Sequence, residues 1–217
     1  MKERIPYPAL LWVNGKEVAV VGGGRVALHR IEGLLDAGAR VRVIAPEADP
    51  GIVELVTRGK VKWHKASFST SMLRGASTVI CATDSAEVNR QAAWAAKAMG
   101  ATVNMAAPPL ELGDFLVPAA ARCGDLLISV STGGKCPELS RVLKKETKSL
   151  AETFAPWLER LIPIREEAKE KFSSPEEREA FWRDALSDEV TALVKEGRLD
   201  EAEARVRDAV NRGGTKS

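Results

Sequence analysis

Cysteine, histidine and unbalanced charge are all scarce in this chain, and each scarcity removes a class of function. The three cysteines, Cys81, Cys123 and Cys136, are widely spaced and odd in number. That argues against a disulfide framework and against a zinc knuckle. The two histidines, His29 and His64, have no ligand partners at usable spacing, so no resident metal is expected. Lys and Arg total 32 against 30 Asp and Glu, a net charge of +2. No element carries a dominant basic excess, so no nucleic-acid partner is expected. No stretch approaches the apolar length of a membrane span, and Lys2-Glu3-Arg4 leads into no signal-peptide core. The expectation is a cytoplasmic protein with no membrane partner.

What is present is an alternating grammar of strands and helices. Of the 217 residues, 45% are hydrophobic, enough for one sizeable core and a smaller appendage. Glu17 to Val21 reads as a buried strand. From Arg25 to Ala37 the positions Val26, Leu28, Ile31, Leu34 and Leu35 recur at helical spacing. Val41 to Ala45, Val61 to Trp63, Thr78 to Ala82 and Thr102 to Met105 read as further strands. A short helix is expected around Ile52 to Thr57 and a longer one from Ser85 to Met99, with Ser85 as its cap. Cys81, inside the apolar run Thr78 to Ala82, reads as a buried small hydrophobe. Strands alternating with helices in this way predict a parallel sheet covered on both faces.

After Pro108-Pro109 the grammar changes. Phe115 to Val117 and Leu126 to Val130 look like strands with no long helix between them, suited to a small separate sheet or a dimer-forming segment. From Pro137 onward the chain reads as helical and highly charged, and Ser174-Pro175-Glu176-Glu177 opens one of these helices. The tail from Gly213 to Ser217 reads as disordered. The predicted class is α/β: a Rossmann-like parallel sheet in residues 1–112, a central dimerisation and substrate segment in 113–148, and a C-terminal helical module in 149–217.

The segment Gly22-Gly23-Gly24-Arg25-Val26-Ala27 carries a G-x-G-x-x-A pattern between a strand and a helix. Gly22 permits the tight turn, Gly24 lets backbone approach a pyrophosphate, and Ala27 stands where helix packs on strand. The helix opening at Arg25 and Val26 offers free N–H groups and its positive end to phosphates. Pro46 and Glu47 follow the second strand, where an acid would bind ribose hydroxyls, and no arginine stands there to meet a 2′-phosphate. NAD is therefore the expected cofactor. Thr83 and Asp84 end the next long strand, where such a sheet meets its ligand; they also suit a cap for the helix that follows.

These residues resemble a known family. Val21 to Ala27, Leu35-Asp36-Ala37-Gly38-Ala39, Val43 to Glu47, Ala82-Thr83-Asp84, Val103-Asn104, Phe115 with Val117-Pro118-Ala119, and above all Ser129 to Pro137 are similar to precorrin-2 dehydrogenases, including those that also act as ferrochelatases. Lys171-Phe172 and Phe181-Trp182 resemble the helical module of that family. The chain is short for a sirohaem synthase with a methyltransferase domain, so a stand-alone relative is expected. The resemblance implies NAD-dependent oxidation of precorrin-2 to sirohydrochlorin in sirohaem biosynthesis, by a homodimer, with iron insertion as an added activity in some relatives.

A polycarboxylate substrate calls for fixed cations and helix N-termini. Gly133, Gly134 and Lys135 leading into the helix from Pro137 supply both, Ser131 and Thr132 add hydroxyls, and Arg141 lies one turn on. Lys144, Lys145 and Lys148 read as a solvated helix face. Asn104 belongs to a family motif, Asn-x-x-Asp, whose aspartate is the expected catalytic residue. Here Ala107 occupies that position. Asp114 or Glu111 downstream could serve instead, Asp114 also suiting a turn. Catalysis could otherwise rest on bringing the reactants together. The remaining alternative is a tetrapyrrole- or NAD-binding protein that turns over poorly.

Overall fold

A computed structural model describes residues 5–213. The Lys2-Glu3-Arg4 start and the tail Gly214 to Ser217 lie outside the described residues. The chain divides into two compact units between Val117 and Pro118.

In the first unit, β1 (Glu17–Val21), β2 (Arg40–Ile44), β3 (Val61–His64), β4 (Thr78–Cys81) and β5 (Thr102–Met105) form a parallel sheet in the order β3-β2-β1-β4-β5. Helices α1 (Arg25–Asp36), α2 (Pro50–Thr57) and α3 (Ala86–Ala98) connect them. Alternate residues of a strand face opposite sides, and β1 divides accordingly. Val18 and Val20 join a cluster with Ala27 and Ile31 of α1, whereas Ala19 and Val21 join one with Ala92, Ala93 and Ala96 of α3. All of these residues are fully buried. The sheet is thus apolar on both faces, which is why its strands read as continuous hydrophobic runs. The chain winds outward from β1 to β3, then returns to lay β4 on the other side of β1. The carboxyl ends of β1 and β4 therefore flank the point where the winding reverses, the place where sheets of this type take their ligands.

The second unit holds the antiparallel hairpin of β6 (Ala119–Cys123) and β7 (Leu126–Val130), the helix α4 (Pro137–Lys171), and three shorter helices, α5 (Pro175–Ala185), α6 (Asp188–Lys195) and α7 (Leu199–Gly213). Trp157, Ile164 and Ala168 of α4 are buried against Phe181, Leu193, Val206 and Val210. Ser174 and Glu177 close a capping box at the start of α5, which satisfies two otherwise orphaned N–H groups.

Three sequence expectations are corrected. No strand spans Phe115 to Val117; Phe115 makes only an isolated bridge to Asn104. The partner of β7 is instead Ala119–Cys123, because the turn at Gly124 pairs Cys123 with Leu126 and fixes the register back to Ala119 with Val130. A run of alanines has low strand propensity, so the sequence pattern hid this strand. The first unit extends beyond residue 112, since the Asp114 N–H donates to the Val103 carbonyl at 2.8 Å. The boundary after residue 148 falls inside α4, which is continuous from Pro137 to Lys171.

Cys81 is fully buried and burial pushes its thiol up to about 12; it stays neutral and serves as core. The contact of α3 with the sheet is built from alanines, which let helix and strands approach closely. Ala93→Leu should therefore overpack this layer and destabilise the protein by about 1–3 kcal/mol in a chemical denaturation curve.

Candidate functional site

Three glycines carry the chain from β1 into α1, and each has a different job. Gly22 adopts φ 124°, a region that side chains disfavour. A Cβ there would lie 2.3 Å from the Ala82 carbonyl oxygen, just past β4. Only glycine lets the two strand ends meet so closely. At Gly23 a Cβ would lie 2.1 Å from the Glu47 carbonyl oxygen, so this variable position of the pattern is as tightly specified as its neighbour. Gly24 caps α1 at φ −81°, and a Cβ there would meet nothing within 4 Å. No side chain caps this helix and no acid occupies its first turn. The positive end of α1, at Arg25 and Val26, therefore looks onto space that a side chain at residue 24 would enter. That is the shape and polarity a pyrophosphate requires. Ala27, where the pattern ends, is fully buried against the sheet.

The loop after β2 is tied to this turn. The Gly22 N–H donates to the Ile44 carbonyl at 3.0 Å and the Asp49 N–H to the Gly23 carbonyl at 2.8 Å. Trp63 Nε1–H holds the Ala45 carbonyl at 2.9 Å. Pro46 and Glu47 are exposed beside it. Glu47 thus stands on the loop that is tied to the glycine turn.

Past β4, the Thr83 hydroxyl lies 2.8 Å from Asn89 Oδ1 and 3.0 Å from the Ser85 carbonyl, and it accepts from the Ser85 N–H at 3.2 Å. Ser85 in turn caps α3 through the Val88 N–H. Asp84 is exposed. Asn89 is a residue the sequence reading missed. It is buried to 1% exposure and saturated with hydrogen bonds. Its Oδ1 accepts from the Thr83 N–H at 3.1 Å as well as facing the hydroxyl, and its Nδ2 donates to the carbonyls of Thr83 and Pro108, each at 2.9 Å. The available signal was a lone amide on the alanine face of α3.

Asn104, near the end of β5, is also buried to 1% exposure. Its Nδ2 donates to the Phe115 carbonyl at 2.9 Å, while its Oδ1 has no partner among the described residues. Ala107 follows β5, half-buried, on the segment whose Pro108 carbonyl Asn89 holds. Asp114 has other work. Its Oδ2 accepts from the Val103 N–H at 2.9 Å and its Oδ1 from Lys97 Nζ at 2.7 Å. One oxygen thus holds the β5 backbone and the other a lysine of α3, which gives the carboxylate a structural role in the first unit.

In the second unit, residues 131 to 136 form a compact turn before α4. Gly133 and Gly134 take φ 64° and 82°. The Thr132 hydroxyl donates to the Cys136 carbonyl at 3.0 Å, accepts from the Cys136 N–H at 3.1 Å, and lies 3.2 Å from Ser140 Oγ. Ser131 Oγ accepts from the Gly133 N–H at 3.1 Å. Thr132 is thus spent on shaping the loop. Lys135 and Arg141 are exposed, the latter 3.3 Å from Glu138. Among the described residues no group of three or more His, Cys, Asp or Glu could hold a metal ion, and no helix is long and apolar enough to cross a membrane.

A parallel sheet whose glycine turn opens a helix N-terminus at the reversal of winding defines a dinucleotide-binding protein. Residues 9–119, just over half of the chain, match the family model described as "Putative NAD(P)-binding", and the chain belongs to that family. Residues 155–210 match the sirohaem synthase dimerisation region. The sirohaem synthase of Methylobacillus flagellatus is 33% identical over 196 residues, covering 90% of this chain and 42% of the relative. That of Methylococcus capsulatus is 36% identical over 197 residues, covering 90% and 41%. The chain thus spans about two fifths of the length of these curated relatives. The solved structure of SirC, a precorrin-2 dehydrogenase, aligns with a TM-score of 0.69 at 25% identity, covering 94% of this chain and all of that one.

The glycines make opposite predictions. Gly24→Ala should leave the melting temperature nearly unchanged yet weaken NADH binding by about tenfold or more, because its methyl enters the phosphate space. Gly22→Ala should lose stability and binding together, since its Cβ meets backbone. Thermal melts beside NADH fluorescence titrations separate the two.

Proposed function

We propose that this chain oxidises precorrin-2 to sirohydrochlorin, taking NAD as hydride acceptor, as a step of sirohaem biosynthesis in the cytoplasm. The observation that carries the reading is the likeness to SirC along nearly the whole of both chains, joined to an uncapped glycine turn at the reversal of winding. In the reaction one hydride passes from the macrocycle to the nicotinamide and one proton is released, giving NADH. Bound cofactor supplies the acceptor carbon; the rest is holding and orienting by the protein.

Gly22, Gly24, Arg25 and Val26 would hold the pyrophosphate, and Glu47 beside Pro46 the ribose, which favours NAD over NADP. Thr83 and Asp84 would border the cofactor at the end of β4. Asn104 would turn its unpartnered Oδ1 toward the substrate. The backbone of Gly133 and Gly134, with Ser131, Lys135 and Arg141, would meet substrate carboxylates. The match to a dimerisation region supports a homodimer. A second reading, a tetrapyrrole- and dinucleotide-binding protein of weak turnover, is favoured by Ala107 at the position where a carboxylate was expected.

The deciding experiment is anaerobic: purified protein, precorrin-2 made in situ and NAD, followed by absorbance. Equimolar sirohydrochlorin and NADH are expected. Binding of both ligands with no NADH would select the second reading. In the same assay Asp114→Asn should keep turnover within about twofold, because its carboxylate braces β5; a loss of about a hundredfold or more would restore it as the base.

A further inference from the structure

The loops that follow β4 and β5 are separate in sequence, but one buried side chain joins them. We propose that Asn89 is the positioning residue of the cofactor site, fixing the Thr83 loop and the Ala107–Pro108 segment relative to the glycine turn. The proposal rests on the first unit being a dinucleotide site.

A free amide offers two N–H donors and an acceptor oxygen with two lone pairs. Asn89 commits all of them to the two loops: two acceptances from Thr83, one donation to its carbonyl, and one to the Pro108 carbonyl. Helix α3 needs none of this for its own start, since Ser85 already caps it. The chain of contact then runs on to the turn. Ala82, the neighbour of Thr83, places its carbonyl where a Cβ at Gly22 would fall. A shift of the Thr83 loop is therefore felt at Gly22, under the pyrophosphate. The other donation fixes Pro108, one residue beyond Ala107 and four beyond Asn104. One side chain thus sets the spacing between the strand end that meets the cofactor and the segment that follows β5.

The test compares NADH affinity, by fluorescence titration, with thermal stability. Asn89→Ala should raise the Kd for NADH about tenfold. Asn89→Asp should do nearly the same, since it keeps both acceptors but turns negative oxygens toward the Thr83 and Pro108 carbonyls. Thr83→Val, which removes only the hydroxyl contacts, should fold normally and show a smaller loss. Leu73→Ala is the control: Leu73 is fully buried in the same unit, in the turn before β4 begins. It should lower the melting temperature at least as much and leave the Kd unchanged. Wild-type affinity in Asn89→Ala, or an equal loss in Leu73→Ala, would overturn the proposal. Absence of NADH binding by the wild-type chain would instead bring down the dinucleotide reading itself, and the proposal with it.

Discussion

The close approach of β1 and β4 at their carboxyl ends is the constraint from which the rest of the first unit follows. Two strand ends can meet with a carbonyl 2.3 Å from the place of a Cβ only if that Cβ is absent. Gly22 meets this demand, and its positive φ swings the chain at once into α1. The turn is short, so α1 begins only four residues after β1 ends, with no side chain capping its first N–H groups. A longer turn would relieve the crowding but carry the helix end away from the ligand. The same tightness forces Gly23 under the Glu47 carbonyl, which brings the loop after β2 alongside. Three loops thus converge because one pair of strands is packed too closely for any side chain.

Much of this fold could be read from the residues. The five parallel strands and three helices of the first unit follow from apolar runs separated by helical periodicity, and Gly22 makes the tight turn and Ala27 the helix-to-sheet packing that their pattern suggests. What escaped notice depends on distant partners. Gly23 is fixed by Glu47, which lies on another strand connection. Asn89 is fixed by Pro108. Asp114 braces Val103 and Lys97, contacts that no local pattern announces. The strand at Ala119–Cys123 is visible only through its pairing with β7, since alanine carries almost no strand signal. Periodicity reports which face is buried; it is silent on what a buried polar group will meet.

The two units also spend their polar groups differently. In the second, the hydroxyl of Thr132 is consumed in shaping the turn before α4. In the first, Asn104 leaves a buried acceptor without a partner among the described residues. Such an atom costs roughly 1–3 kcal/mol to leave unmatched.

On the proposed dehydrogenase reading, Ala107 bears on how the chemistry would be shared. A positioned base contributes about 10²–10⁴-fold to a rate, whereas holding two reactants in register is worth up to about 7–11 kcal/mol, a far larger factor. Hydride transfer depends most on distance and alignment between donor and acceptor carbons, and least on where the released proton goes, because water can accept it. On the proposed dehydrogenase reading, a chain with alanine in this place would forgo the smaller contribution and keep the larger. The density of fixed hydrogen bonds around Thr83, Asn89 and Pro108 fits that division: the site invests in geometry. On that reading, lack of the carboxylate would slow the enzyme without changing its reaction.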